Sequence, residues 1–125
     1  MADFVSKVTY VSKDIDAKTK IRLKDTTNAL KIDEAVNDGT LRISVDYYAI
    51  LSIHNEKADP KDYEQILIVD TDGQKFVTGS PSFRRSLSDI IDDLTDAGIT
   101  EYELDCYKRP SKNYSGKYYL TCSLV

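Results

Sequence analysis

The chain has 125 residues, 41% hydrophobic and 30% charged, with a formal net charge of −4 from 17 basic and 21 acidic side chains. That suits one globular domain; it is too apolar for a disordered chain, and its acidic total weighs against nucleic-acid binding unless cations gather on one face. Two cysteines, Cys106 and Cys122, and one histidine, His54, make neither a disulfide scaffold nor a zinc finger. No apolar run is long enough to span a membrane and the first residues lack a secretory pattern, so a cytoplasmic chain without membrane contact is expected.

The first forty residues are more polar than the rest and read as an N-terminal β extension on a core of residues 41–125. Within it, Lys18-Thr-Lys-Ile-Arg-Leu-Lys24 alternates. Taken as a strand, Lys18, Lys20, Arg22 and Lys24 form one row, with Ile21 and Leu23 opposite. Such cations stand about 7 Å apart, a row along which a phosphate backbone can lie. The segment Ile32 to Asp38 is too short for a second core helix.

From Leu41 to Ile53 every second residue is apolar, which predicts one buried strand face; the other carries Arg42, Ser44, Asp46, Tyr48 and Ile50. Residues 64–69 form a second strand. Asp72-Gly73 marks a hairpin whose two turn residues both tolerate positive φ, and residues 74–78 return as a third strand. Phe83, Leu87, Ile90, Ile91 and Leu94 then make one helical stripe, with Ser80 or Ser82 as N-cap and Gly98 as C-cap. Tyr102, Leu104 and Cys106 share one face of a fourth strand, and Tyr118, Leu120, Cys122 and Leu124 share one face of a fifth. The two cysteines are thus expected to be reduced, inward and structural. Strand, strand, strand, helix, strand, strand is the order of an OB-like five-stranded β-barrel.

The terminal hairpin carries the chemistry. Tyr107 and Tyr119 fall opposite the cysteines, with Arg109 and Lys117 beside them. Lys108, Lys112 and Tyr114 lie in or near the connecting loop, and Tyr48 adds an aromatic on the outward face of the first strand. Rings interleaved with cations suit single-stranded nucleic acid, because bases stack on the rings and phosphates meet the charges. His54 is expected in a loop, and Asp89, Asp92, Asp93 and Asp96 on a solvated helix face. No nucleophile–base pair stands out, so no enzyme, catalytic residue, metal or cofactor is expected.

Ile68-Val-Asp-Thr-Asp-Gly-Gln-Lys-Phe-Val-Thr-Gly-Ser-Pro-Ser-Phe83 and Lys108-Arg-Pro-Ser-Lys-Asn-Tyr-Ser-Gly-Lys-Tyr-Tyr-Leu-Thr-Cys122 resemble segments of small single-stranded DNA-binding proteins, of OB-fold type, from bacteriophages and mobile elements of Gram-positive bacteria. The resemblance covers roughly residues 60–125. It implies binding of single-stranded DNA during phage DNA replication or recombination, in a host cytoplasm, with replication or recombination proteins or a second copy of the chain as further partners. The ending Thr121-Cys-Ser-Leu-Val125 departs from the acidic tail by which many such proteins recruit partners. The alternative expectation is a phage-encoded protein-interaction module that binds or inhibits a host protein, which suits the acidic total and the acidic helix.

Overall fold

The architecture is organised by one long strand. β3 (Leu41–Asn55) pairs along one edge with β4 (Asp62–Asp70), and its other pairings are shared between β6 (Tyr102–Pro110) at residues 41–45 and β1 (Phe4–Val11) at residues 49–55. The computed structural model describes residues 4–37, 39–111 and 116–125. Its remaining elements are α1 (Ala17–Arg22), β2 (Leu30–Lys31), α2 (Ile32–Ala35), β5 (Lys75–Thr78), α3 (Pro81–Ala97) and β7 (Tyr118–Leu124). The protein is mainly β, with a sheet curled into a half-barrel.

Among the described residues the sheet has seven strands rather than five, in the order β2-β5-β4-β3-β6-β7 with β1 on β3. β5 is flanked by β4 and, in parallel, by β2. Leu30 and Lys31 therefore occupy the edge of β5 that a closed barrel would offer to β7. The free edge of β7 is instead met by α3: the Ser82 hydroxyl donates to the Leu120 carbonyl at 2.7 Å, and Ser86 Oγ lies 2.6 Å from Thr121 Oγ1.

The period-two pattern of β3 holds, but it serves two cores. Ile43 and Val45 pack with Ile66, Ile68, Phe76, Phe83, Leu87, Leu104, Cys106, Leu120 and Cys122. Tyr47, Ala49, Leu51 and Ile53 pack with Leu67, Val69 and Val77 on the opposite side of the sheet. The switch occurs at a bulge: Val45 pairs with Asp70 while Tyr47 pairs with Val69, so one extra residue enters β3. A bulge turns the following side chains to the other face. With both faces covered, Ile66, Leu67, Ile68 and Val69 are all buried consecutively.

The N-terminal forty residues supply part of each core. Leu23 closes the second, with Val8, Val11, Ile15 and Ala29 against it. Ile32 and Val36 enter the first. Complete burial of an aliphatic side chain such as Ile32 contributes about 1.5–3 kcal/mol. The short segment starting at Ile32 is a single helical turn, yet Ile32 at its start and Val36 just after it are core.

The expected strand from Lys18 to Lys24 is a helix, α1. The Asp16 carboxylate accepts the Thr19 amide at 2.7 Å and starts it. Lys75 Nζ donates to the Arg22 and Asp25 carbonyls at its end, at 2.7 and 3.0 Å. Leu23 is buried but Ile21 is 65% exposed, which a strand would not produce.

The hairpin between β4 and β5 also forms differently from its expected geometry. Only Gly73 takes positive φ, at 87°. The Asp70 carboxylate holds the turn by accepting the Asp72 and Gln74 amides at 2.9 and 2.8 Å. α3 keeps its expected caps: Ser80 Oγ accepts the Phe83 amide at 3.2 Å, and Gly98 is left-handed at φ 72°. His54 lies within β3, not in a loop.

Candidate nucleic-acid interface

Two backbone hydrogen bonds fix the parity of the β6–β7 ladder. Ser111 N donates to Lys117 O at 2.9 Å and Val125 N donates to Glu103 O at 3.1 Å. Both pairs belong to the register in which Cys106 faces Cys122 and Arg109 faces Tyr119. Counting along the ladder, Arg109–Tyr119 and Tyr107–Thr121 are hydrogen-bonded pairs, and Cys106–Cys122 is a non-hydrogen-bonded pair. Tyr107, Arg109, Tyr119 and Thr121 share the face opposite the cysteines. Both thiols are buried and free, and burial pushes each up to about 12.

On that face the guanidinium carbon of Arg109 lies 5.2 Å from the centre of the Tyr107 ring, and its Nη2 donates to the Tyr107 hydroxyl at 2.9 Å. The Tyr107 ring is therefore already engaged by a cation. Tyr119, directly across from Arg109, is 39% exposed. Further down β6 the same face turns acidic, with Glu103 and Asp105. Arg42 neutralises Asp105 through two bonds of 2.9 and 3.1 Å, which hold that carboxyl below its ordinary range.

The other expected binding residues are dispersed. Lys108 lies on the cysteine side and donates to Asn37 Oδ1 at 2.5 Å. Lys117 is exposed next to the hairpin loop. Lys112 and Tyr114 lie outside the described residues. Lys18, Lys20, Arg22 and Lys24 are exposed but sit on and after α1; Lys18 and Arg22 share one side of that helix while Lys20 falls on the other, so the proposed row does not form. Tyr48 is not an outward ring. It is half-buried against the first core, 5.6 Å from Tyr10 between ring centres, and burial followed by the Tyr10 hydroxyl raises its pKa. The bulge at residues 45–47 explains this, because it turns the even positions of β3 toward the first core.

Arg85 is the residue that sequence reading passed over. A groove between α3 and β7 is lined by Ser82, Arg85, Ser86, Asp89, Ser111 and Tyr119. The four α3 residues are spaced three and four apart, one stripe beside the apolar one. Arg84, next door, is tied to Glu64 at 2.5 Å, whereas Arg85 makes no ion pair among the described residues. The helical stripe was visible in the sequence, but its placement against β7 was not. Among the described residues no group of acidic, histidine and cysteine side chains is arranged to hold a metal ion, and no helix is long and apolar enough to cross a membrane. No family model, curated protein or solved structure matches this chain.

Proposed function

We propose that the protein binds single-stranded DNA without catalysis, using the outer face of the β6–β7 hairpin. The observation that carries this reading is the gathering of Tyr107, Arg109 and Tyr119 on one face, with exposed Lys117 at its end. Rings beside cations give sequence-tolerant contact: each base stacked on a ring contributes about 1–3 kcal/mol, and each phosphate neutralised adds salt dependence. The order β5-β4-β3-β6-β7, with α3 between β5 and β6, supports an OB-type reading of the core, opened where β2 takes the edge of β5. The resemblance of residues 60–125 to phage single-stranded DNA-binding proteins supports a role in phage DNA replication or recombination.

A second reading, a module that binds a host protein, is favoured by the acidic half of α3 and by Phe4, Val5 and Tyr10, which are 50%, 39% and 49% exposed along β1. Anisotropy of labelled oligo-dT, with duplex of equal length as competitor, separates the two. Tight binding of oligo-dT that duplex does not displace supports the first. Absence of binding at low salt rejects it.

A further inference from the structure

We propose that the groove between α3 and β7 carries the phosphodiester backbone past Tyr119, with Tyr119 as the ring that stacks on a base and Arg85 as a phosphate contact. This deepens, and rests on, the single-stranded DNA reading above. It gives the two hairpin tyrosines different roles. The Tyr107 ring and hydroxyl are both taken by Arg109, so Tyr107 is a positioning residue that holds a guanidinium on the hairpin face. The Tyr119 ring is bracketed instead. Arg109 faces it across the ladder, where Cα atoms of a hydrogen-bonded pair stand about 5.5 Å apart. Arg85 lies across the groove from it.

The two serines of the groove make its wall stiff. Ser82 Oγ donates to the Leu120 carbonyl at 2.7 Å, and Ser86 Oγ lies 2.6 Å from the buried Thr121 hydroxyl. The helix is thereby pinned to β7 at two successive turns, so the backbone positions that carry Arg85 and Tyr119 on the two walls of the groove are held by the fold. Asp89 is the opposing element. It lines the same groove four residues after Arg85, with no ion pair between them, and its charge repels a phosphate. This yields two substitutions of opposite sign on one helical stripe.

The test is anisotropy of labelled oligo-dT against the full chain over a series of salt concentrations. Arg85→Ala is expected to weaken binding several-fold at low salt and to reduce the log–log salt slope by about 0.7, the value of one phosphate contact on a single strand. Asp89→Asn is expected to tighten binding. Tyr119→Ala is expected to lower affinity about tenfold or more. Tyr107→Phe keeps the ring and removes the hydroxyl that accepts from Arg109; it is expected to have a smaller effect, appearing mainly in the salt dependence. Arg85 and Asp89 are exposed, so their variants are expected to melt like the wild type. If the wild type binds oligo-dT but Arg85→Ala and Asp89→Asn match it in affinity and slope, the groove is not the path and the hairpin reading survives. If the wild type fails to bind oligo-dT at low salt, both fall.

Discussion

Val45 and Tyr47 are two residues apart in one strand and point into different cores. Val45 pairs with Asp70 and Tyr47 with Val69, neighbouring positions of β4, so Asp46 is the extra residue between them. One unbroken alternation of apolar residues thus serves both sides of the sheet.

Deleting Asp46 is therefore expected to leave both cores in place. Without the extra residue Val45 and Tyr47 become consecutive, and ordinary alternation sends them to opposite faces, still across from Asp70 and Val69. Asp46→Ala keeps the bulge and loses an exposed pair with Lys13 at 2.8 Å, which changes stability little. Urea denaturation checks this: the Asp46 deletion and Asp46→Ala are both expected to keep a cooperative transition, whereas deletion of Ser44, which turns Ile43 away from the first core, is expected to lose it. Loss of the cooperative transition on deleting Asp46 would show that the bulge itself is needed by the sheet.

That bulge also shows what the sequence could not reveal. Local alternation identifies a strand and its spacing, and β3, β6 and β7 were legible in this way; β4 was legible as a run of consecutive apolar residues, and β5 as the return arm after Asp72-Gly73. It says nothing about a one-residue shift between partners, because register is a property of pairs. Tyr48 was misplaced for that reason. The α1 segment was misread for another: Lys18, Lys20, Arg22 and Lys24 alternate perfectly, but Asp16 followed by Thr19 is a helix start, and a local cap outweighs alternating charges that have no face to bury. Within the candidate site, the shared face of Tyr107, Arg109 and Tyr119 was legible from parity alone. Arg85 was not, because its nearness to Tyr119 depends on where α3 docks.

The cap at Asp16 gives a pH-dependent expectation. Its carboxyl lies below the ordinary value of 3.8 because it accepts hydrogen bonds from Thr19. A group with a lowered folded pKa stabilises above its unfolded value and loses that contribution as pH falls through the folded value. Asp16→Ala should therefore lower the melting temperature at neutral pH, and the gap to the wild type should close in strong acid. A gap that is constant with pH would mean that the carboxylate is not the cap.

His54 gives the opposite sign. Its Nδ1 lies 2.7 Å from Asp62 and its Nε2 2.6 Å from Glu56, which also meets Lys61 at 3.1 Å. The Glu56 bond first, then the Asp62 bond, raises the imidazole above 6.5. Its stabilising contribution is complete below about 6.5 and is lost as pH rises through the raised value. As the only histidine, it gives a single pair of imidazole proton resonances whose midpoint reads this directly. His54→Gln should melt with less pH dependence above neutrality than the wild type. A midpoint at or below the ordinary value would show that the carboxylates do not hold the ring in solution.

Cys106 and Cys122 face each other at a non-hydrogen-bonded position, the closer of the two kinds of cross-strand pair. Both belong to the first core with Leu104 and Leu120. Burial raises the two thiols to about 12, so the thiolate is scarce at neutral pH. The native protein should react slowly with a thiol reagent, and unfolding should release two reactive groups. Cys106→Ser places a hydroxyl where Cys106 has no solvent exposure; without a partner it should cost about 1–3 kcal/mol. Cys106→Val keeps an apolar group of similar size and should cost less. Neither change touches the face of Tyr119, so oligo-dT affinity per folded molecule should stay constant in both. Rapid labelling of the native thiols would mean that the hairpin register is shifted by one residue, which would turn Tyr107 and Tyr119 inward and remove the binding face.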